Sequence, residues 1–172
     1  MKALRITLAV LSLVVLAIGA GAFSSAAAGA PAPGTHGHVM QLLAEATWGP
    51  APPFVPPGAQ IAVLSGNPMA AESYSVRLKF PAGYVIPPHS HPTDENVTVV
   101  SGELFMATGE RLDLSAGRPL GIGGYALVPA GHNHYAFTQK ETTIVLYGIG
   151  PVDFRYVNPA DDPRNAKVAS AK

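Results

Sequence analysis

The stretch of sequence that decides the fold is residues 83–102, GYVIPPHSHPTDENVTVVSG. It begins and ends with glycine, and between them lie two histidines, one glutamate and a β-branched run. In a strand, residues i and i+2 point to the same face, so the imidazoles of His89 and His91 are expected to lie side by side. Two imidazoles placed in this way can bind one metal ion, and Glu95 can add a carboxylate from the next extended stretch.

A second stretch, residues 123–134, has the sequence GGYALVPAGHNH and ends in another histidine pair. If His134 joins the first group, three imidazoles and one carboxylate surround a single position. These donors bind in neutral or anionic form and suit a first-row divalent metal. Manganese, zinc, copper, nickel and iron all accept such a set, so the residues alone do not select the metal.

The chain beyond Gln60 has the pattern of an all-β protein. Short apolar or alternating runs recur about every ten residues and are separated by turn residues, which is typical of a sandwich or barrel. No segment in this part has helical periodicity. The predicted strands cover residues 61–64, 74–80, 96–100, 103–108, 125–128, 135–138 and 142–147.

Together the two stretches resemble the two sequence motifs of the cupin family. The first stretch fits its motif at every defined position, and these positions are Gly83, His89, His91, Glu95 and Gly102. The second stretch fits at four positions, which are Gly123, Pro129, Gly131 and His134. It departs at Thr138, where the family often has an asparagine that is not a metal ligand.

This resemblance covers about residues 74–148. It implies a small jelly-roll β-barrel, here with an N-terminal Pro-rich arm. It also implies one divalent transition metal held by four side chains, those of His89, His91, Glu95 and His134. With its Pro-rich arm, the chain resembles a bacterial subgroup of exported single-domain cupins.

Composition excludes several other classes of protein. Eleven Lys and Arg residues balance eleven Asp and Glu residues, so the sequence gives no support for nucleic-acid binding. The absence of cysteine removes disulfides, thiol catalysis and thiolate metal sites. Glycine and proline make up about a fifth of the chain, which disfavours a helical bundle.

The N-terminal 28 residues have the features of a secretory signal peptide. Lys2 and Arg5 precede the apolar run 6–18, and small residues follow, with cleavage expected after Ala22 or Ala28. The chain is therefore expected to be exported, periplasmic or secreted, with no membrane contact after cleavage. The remaining boundaries are a leader and Pro-rich arm over 29–59, a barrel over 60–157 and a tail over 158–172.

Several side chains outside the motifs are candidates for the site. His132 is either an acid or base beside the metal or a solvated rim residue. Arg77 is either a clamp for a carboxylate substrate or a charge on the outside of the barrel. Tyr84, Tyr125 and Tyr135 either line a substrate pocket or belong to the core and rim. His36 and His38 are expected to be solvated leader residues.

Three classes of function remain open at this level. Four protein ligands leave two positions of an octahedral metal free for a small-molecule ligand. An oxygenase or other oxidoreductase is the preferred interpretation. A metal-assisted isomerase, lyase or hydrolase is the second, and a module that binds or senses a small ligand without turnover is the third. The Pro-rich arm and the barrel edges favour a homodimer.

Overall fold

The structure is a computed structural model and describes residues 38–165. The predicted signal peptide over 1–28, His36 and residues 166–172 of the predicted tail lie outside the described residues. Within the described range, no helix has both the length and the apolar character needed to cross a membrane. The predicted domain boundaries and the homodimer stay predictions.

Eleven strands and three short 3₁₀ helices follow one another along residues 38–165. The strands are β1 (Gly49–Pro50), β2 (Gln60–Ser65), β3 (Ser73–Phe80), β4 (Val85–Ser90), β5 (Glu95–Ser101), β6 (Leu104–Thr108), β7 (Arg118–Leu120), β8 (Tyr125–Val128), β9 (His134–Thr138), β10 (Thr142–Ile149) and β11 (Arg155–Tyr156). The 3₁₀ helices cover Leu43–Glu45, Leu114–Ala116 and Pro159–Asp161. The seven predicted strands are present, and β1, β4, β7 and β11 are additional.

The strands form two antiparallel sheets that share one core. One sheet has the order β1-β2-β3-β10-β5-β8, and the other has the order β11-β4-β9-β6-β7. Burial alternates along β3, where Val76, Leu78 and Phe80 point inward, as the period of two in the sequence predicts. The same core contains Leu104 and Ala136 from the second sheet. The predicted all-β jelly-roll barrel is confirmed.

The Pro-rich arm covers its own barrel. Phe54 and Val55 are buried in the common core. The Tyr84 hydroxyl donates a hydrogen bond to the carbonyl of Pro56, and the Tyr156 hydroxyl donates to that of Phe54 at 2.7 Å. Proline carries no backbone N–H, so an arm rich in proline can cross the end of the barrel with few donors left unpaired.

Candidate metal centre

Strand pairing brings the three motif histidines together. His89 lies in β4 directly opposite His134, the first residue of β9, and His91 follows at the end of β4. All three imidazoles are buried, with residue exposures of 2–3%. One ring nitrogen from each residue lies within 4.8 Å of the others, an arrangement that could hold a metal ion.

Each imidazole is oriented by a hydrogen bond from Nδ1 to a backbone carbonyl. The Nδ1 atoms of His89, His91 and His134 lie 2.7, 3.0 and 3.2 Å from the carbonyl oxygens of Pro87, Asp153 and His132. A carbonyl only accepts, so in each ring Nδ1 carries the proton. The neutral ring then keeps its lone pair on Nε2, the form in which imidazole binds a metal.

Glu95 adds a carboxylate to this cluster at the first residue of β5. Its Oε1 lies 3.4 Å from Nε2 of His91, and its Oε2 lies 3.7 Å from Nε2 of His134. At that distance Nε2 of His91 is left buried without a hydrogen-bond partner. Buried polar atoms are normally satisfied, and a divalent metal would satisfy this nitrogen and the adjacent carboxylate together. The donors present therefore fit a metal ion.

The pKa shifts of His89, His134 and Glu95 favour the protonation states that bind a metal. Burial and the neighbouring rings of His134 and His91 lower the pKa of His89 to about 3. Burial also lowers the pKa of His134. Burial would raise the pKa of Glu95, but its interactions with His91, His134 and His89 together outweigh burial and lower that pKa to about 2. At neutral pH the cluster thus offers an ionised carboxylate and two neutral imidazoles.

His91 differs from the other two histidines. Burial lowers the pKa of His91, but the Glu95 carboxylate and Asp153 together raise it by more, so the net shift is upward. In the metal-free chain His91 is therefore the imidazole on which a proton and a metal compete most directly.

A glycine turn joins the two motifs. Gly131 has a φ of +75°, a conformation that glycine adopts without the strain of a side chain. Its backbone N–H donates to the carbonyl of His91 at 2.9 Å. The turn that precedes His134 is therefore bonded directly to the first motif, which fixes the distance between the ligands on the two segments.

The C-terminal segment completes the surroundings of the site, a contribution that the sequence patterns did not predict. Asp153 supplies the carbonyl that orients His91, and the ring of Phe154 packs on His89. Strand β11 then pairs with the end of β4. The signal available in the sequence is the alternation of apolar and charged residues over 152–156, which is typical of a strand.

The four predicted substrate-binding residues lie away from the histidine cluster. Arg77 is on the outward face of β3, and its guanidinium lies 3.4 Å from the carbonyls of Gln41 and Leu42. The hydroxyls of Tyr84, Tyr125 and Tyr135 donate to Pro56, Asn96 and Asp113 respectively. The inner cavity beside the histidines is lined by other residues of the described chain. The structure does not bring these four side chains to the cluster.

Two spaces adjoin the cluster. The inner cavity has a volume of about 20 Å³ and is lined by His89, Glu95 and His134 together with apolar side chains. An outer cleft of about 190 Å³ between β6 and β8 is lined mainly by apolar residues, together with His132 and His134. Met106 and His134 line both spaces. His132 is itself exposed, and its carbonyl accepts the Nδ1 proton of His134.

Solved structures with this architecture are similar in fold at low sequence identity. A candidate acetylacetone dioxygenase from Methylibium petroleiphilum PM1 is 19% identical, with a TM-score of 0.57, covering 81% of this chain and 99% of that one. The polyketide cyclase RemF from Streptomyces resistomycificus is 16% identical, with a TM-score of 0.57, covering 75% and 93%. KdgF from Halomonas sp. is 23% identical, with a TM-score of 0.50, covering 67% and 96%. At these identities the likeness shows the fold.

Comparison of the sequence itself identifies the family. Curated proteins give no significant match to the chain. The sequence profile of the ChrR cupin-like domain matches residues 36–153, more than half of the chain and including both motifs. The resemblance to cupins is thereby confirmed, and the chain belongs to the cupin superfamily as a member of the ChrR cupin-like domain family.

Proposed function

We propose that the chain binds one divalent transition metal through His89, His91, Glu95 and His134 and uses it to act on a small molecule. The observation that carries the proposal is the common orientation of the three imidazoles, each with Nδ1 bonded to a carbonyl and Nε2 free. The buried, unpartnered Nε2 of His91 supports it independently. Structural histidines in turns would not need three matched orientations around one carboxylate.

An oxygenase or other oxidoreductase is the reaction class that we propose, because the donor set accepts redox-active metals and leaves coordination positions open. Nitrogen and oxygen donors suit manganese, iron, copper, nickel or zinc. When bound, such a metal would supply Lewis acidity and open coordination positions. The protein's own part is to hold the Glu95 carboxylate and the imidazoles in a buried setting from which bulk water is largely excluded.

The outer cleft is the proposed site for the body of the small molecule. Its volume of about 190 Å³ and its largely apolar lining favour a small compound with few polar groups. The inner cavity of about 20 Å³ has room for about one water molecule, so the body of such a compound would remain in the outer cleft. His132 lines the cleft, where an acid or base could reach the compound.

Export and homodimer formation are proposed alongside this function. The basic start, short apolar run and small-residue exit of residues 2–28 support cleavage by a signal peptidase. Export would favour a metal acquired outside the cytoplasm, hence manganese, zinc, copper or nickel over iron(II). Protein sequencing of the mature N-terminus and gel filtration test the two points, and an uncleaved chain or a monomer would contradict them.

Elemental analysis of the full chain, purified from its native compartment, tests the metal proposal first. One divalent metal per chain is expected, and a metal-free protein that also fails to bind added zinc or manganese would overturn the proposal. Oxygen uptake with a panel of small carbonyl and carboxylate compounds then tests the reaction class. Turnover that persists without oxygen and with zinc would instead identify an isomerase or lyase. Tight binding without turnover would identify a sensing module.

A further inference from the structure

Arg164 forms a network of ion pairs and hydrogen bonds at the C-terminal end of the described chain. Its guanidinium donates to the Asp153 carboxylate at 2.9 Å, to the Asp162 carboxylate at 2.7 Å and to the carbonyl of Phe154 at 2.9 Å. Nε donates to both Asp162 oxygens, at 2.8 and 3.0 Å. We call Arg164, Asp153 and Asp162 the C-terminal clasp.

The clasp connects directly to the candidate metal centre. Asp153, whose carboxylate is held by Arg164, is the residue whose carbonyl accepts the Nδ1 proton of His91. Phe154, whose carbonyl accepts from the same guanidinium, packs on His89. A single cation thus holds the two consecutive residues that contact two of the candidate ligands.

The clasp is better suited to fixing geometry than to adding stability. The side chains of Arg164 and Asp153 are 39% and 43% exposed, and ion pairs with that exposure contribute little to folding. The planar guanidinium, however, presents its donors in a fixed fork, and here every arm of the fork is occupied. Three acceptors on three different residues fix the position of the 153–154 backbone.

We propose that Arg164 is a positioning residue for the metal centre. By holding Asp153 it keeps the carbonyl of that residue against Nδ1 of His91, and so keeps the lone pair of His91 on Nε2 and aimed at the metal position. Groups that orient metal ligands typically change metal affinity by 10–100-fold when they are removed. Arg164 contacts His91 only through Asp153, so removing its guanidinium is expected to weaken metal affinity about tenfold, at the low end of that range. The proposal rests on metal binding by the cluster.

The test compares Arg164→Gln with Arg155→Gln in the full-length chain. Both variants remove one positive charge from the same segment, but Arg155 has its side chain exposed and lies outside the clasp. Cobalt(II) titration of the metal-free protein measures the dissociation constant and the absorption spectrum of the bound ion. Nitrogen-15 NMR of the metal-free protein at pH 8 reports the tautomer of His91 and the exchange of its Nδ1 proton with water.

Arg164→Gln is expected to bind cobalt(II) about tenfold more weakly than Arg155→Gln, with an altered cobalt spectrum and faster exchange of the His91 Nδ1 proton. Equal affinity, spectrum and exchange in the two variants would overturn the proposal.

If Arg164→Gln does not fold, Asp153→Asn replaces it, since it weakens the ion pair and keeps the backbone carbonyl. Asp153→Asn must then show the same changes. A wild-type chain that binds no cobalt would refute the proposed function, and the NMR comparison would still decide whether Arg164 orients His91.

Discussion

Phe154 stacks on the imidazole of His89, with ring centroids 4.1 Å apart and ring planes inclined by 16°. The same phenyl ring meets His91 nearly edge to face, with centroids 4.8 Å apart and a plane angle of 70°. Phe154 is only 4% exposed, so it closes the apolar side of two candidate ligands against water. The Phe154 ring therefore contributes to the burial that keeps His89 neutral.

Replacing Phe154 by alanine is expected to destabilise the metal-free protein by about 3–5 kcal/mol, the usual cost of removing a buried phenyl ring. Phe154→Leu is the matched control, since it keeps an apolar side chain of similar size and is expected to cost less than about 1.5 kcal/mol. Urea unfolding of both variants measures the difference. Similar losses in the two variants would show that the ring does not fill the space described here.

His89→Ala and Glu95→Ala are each expected to lose bound metal while they keep a β-type circular dichroism spectrum. Each substitution removes one donor from the cluster and leaves the sheet pairing in place. His38→Ala is the control, because it removes an exposed histidine of another His-x-His pair. Elemental analysis compares the purified proteins, and wild-type metal content in either site variant would contradict the assignment of that residue.

Metal affinity is expected to fall as the pH is lowered. The raised pKa of His91 means that this imidazole takes up a proton first, and a protonated Nε2 cannot bind the metal. Above the pKa of His91 the affinity should be level. Below it, each pH unit should weaken binding about tenfold for each proton displaced. Cobalt(II) titrations between pH 5.5 and 8 measure this, and a flat profile would count against a site built on imidazoles.

Thr138 takes a structural role at the position where the second motif departs from the usual asparagine. Its hydroxyl donates to the carbonyl of Pro81 at 2.8 Å and accepts from the backbone N–H of Tyr84 at 3.2 Å. Thr138→Val is expected to lower the free energy of unfolding by about 1–3 kcal/mol, because the Pro81 carbonyl and the Tyr84 N–H would lose their hydrogen-bond partner. Thr138→Ser should retain most of the stability. Thermal unfolding compares them, and a Val variant as stable as the Ser variant would contradict this role.

Part of the candidate site could be predicted from the sequence because the relation between His89 and His91 is local. Positions i and i+2 of an extended chain share a face whatever surrounds them, which relates His89 to His91. Glycines with positive φ, such as Gly131, need turns that few other residues form. The fixed spacing of the two motifs relates Glu95 and His134 to these glycines and histidines, and so identifies them as the other two candidate ligands. These features survive in any sequence that keeps the motif.

Strand β4 could not be predicted, although it carries His89. Pro87 and Pro88 lack the N–H groups that a ladder requires, so the sequence indicated extended backbone at His89 and His91 without indicating the whole strand Val85–Ser90. In the structure the pairing of β4 with β9 shifts register between Ile86 and His89. The two prolines occupy that irregular section, so regular ladder bonds resume at the histidine.

The contributions of Asp153, Phe154 and Arg164 depend on tertiary structure. The alternation over 152–156 predicts a strand but not which strand it joins, and its partner β4 lies much earlier in the chain. The orientation of His91 comes from a backbone carbonyl, which every residue possesses and no side-chain pattern marks. Sequence patterns therefore indicated the candidate metal donors but not the groups that orient them.

The late position of the clasp in the chain has a consequence for assembly. All four candidate ligands precede Asp153 in the order of synthesis, so a growing chain holds every donor before it holds the group that orients His91 or the ring that shields His89. A metal ion that binds before residues 153–154 are in place would bind imidazoles that are exposed to water and not yet oriented. Selective metal uptake would thus require that β11 has already paired with β4.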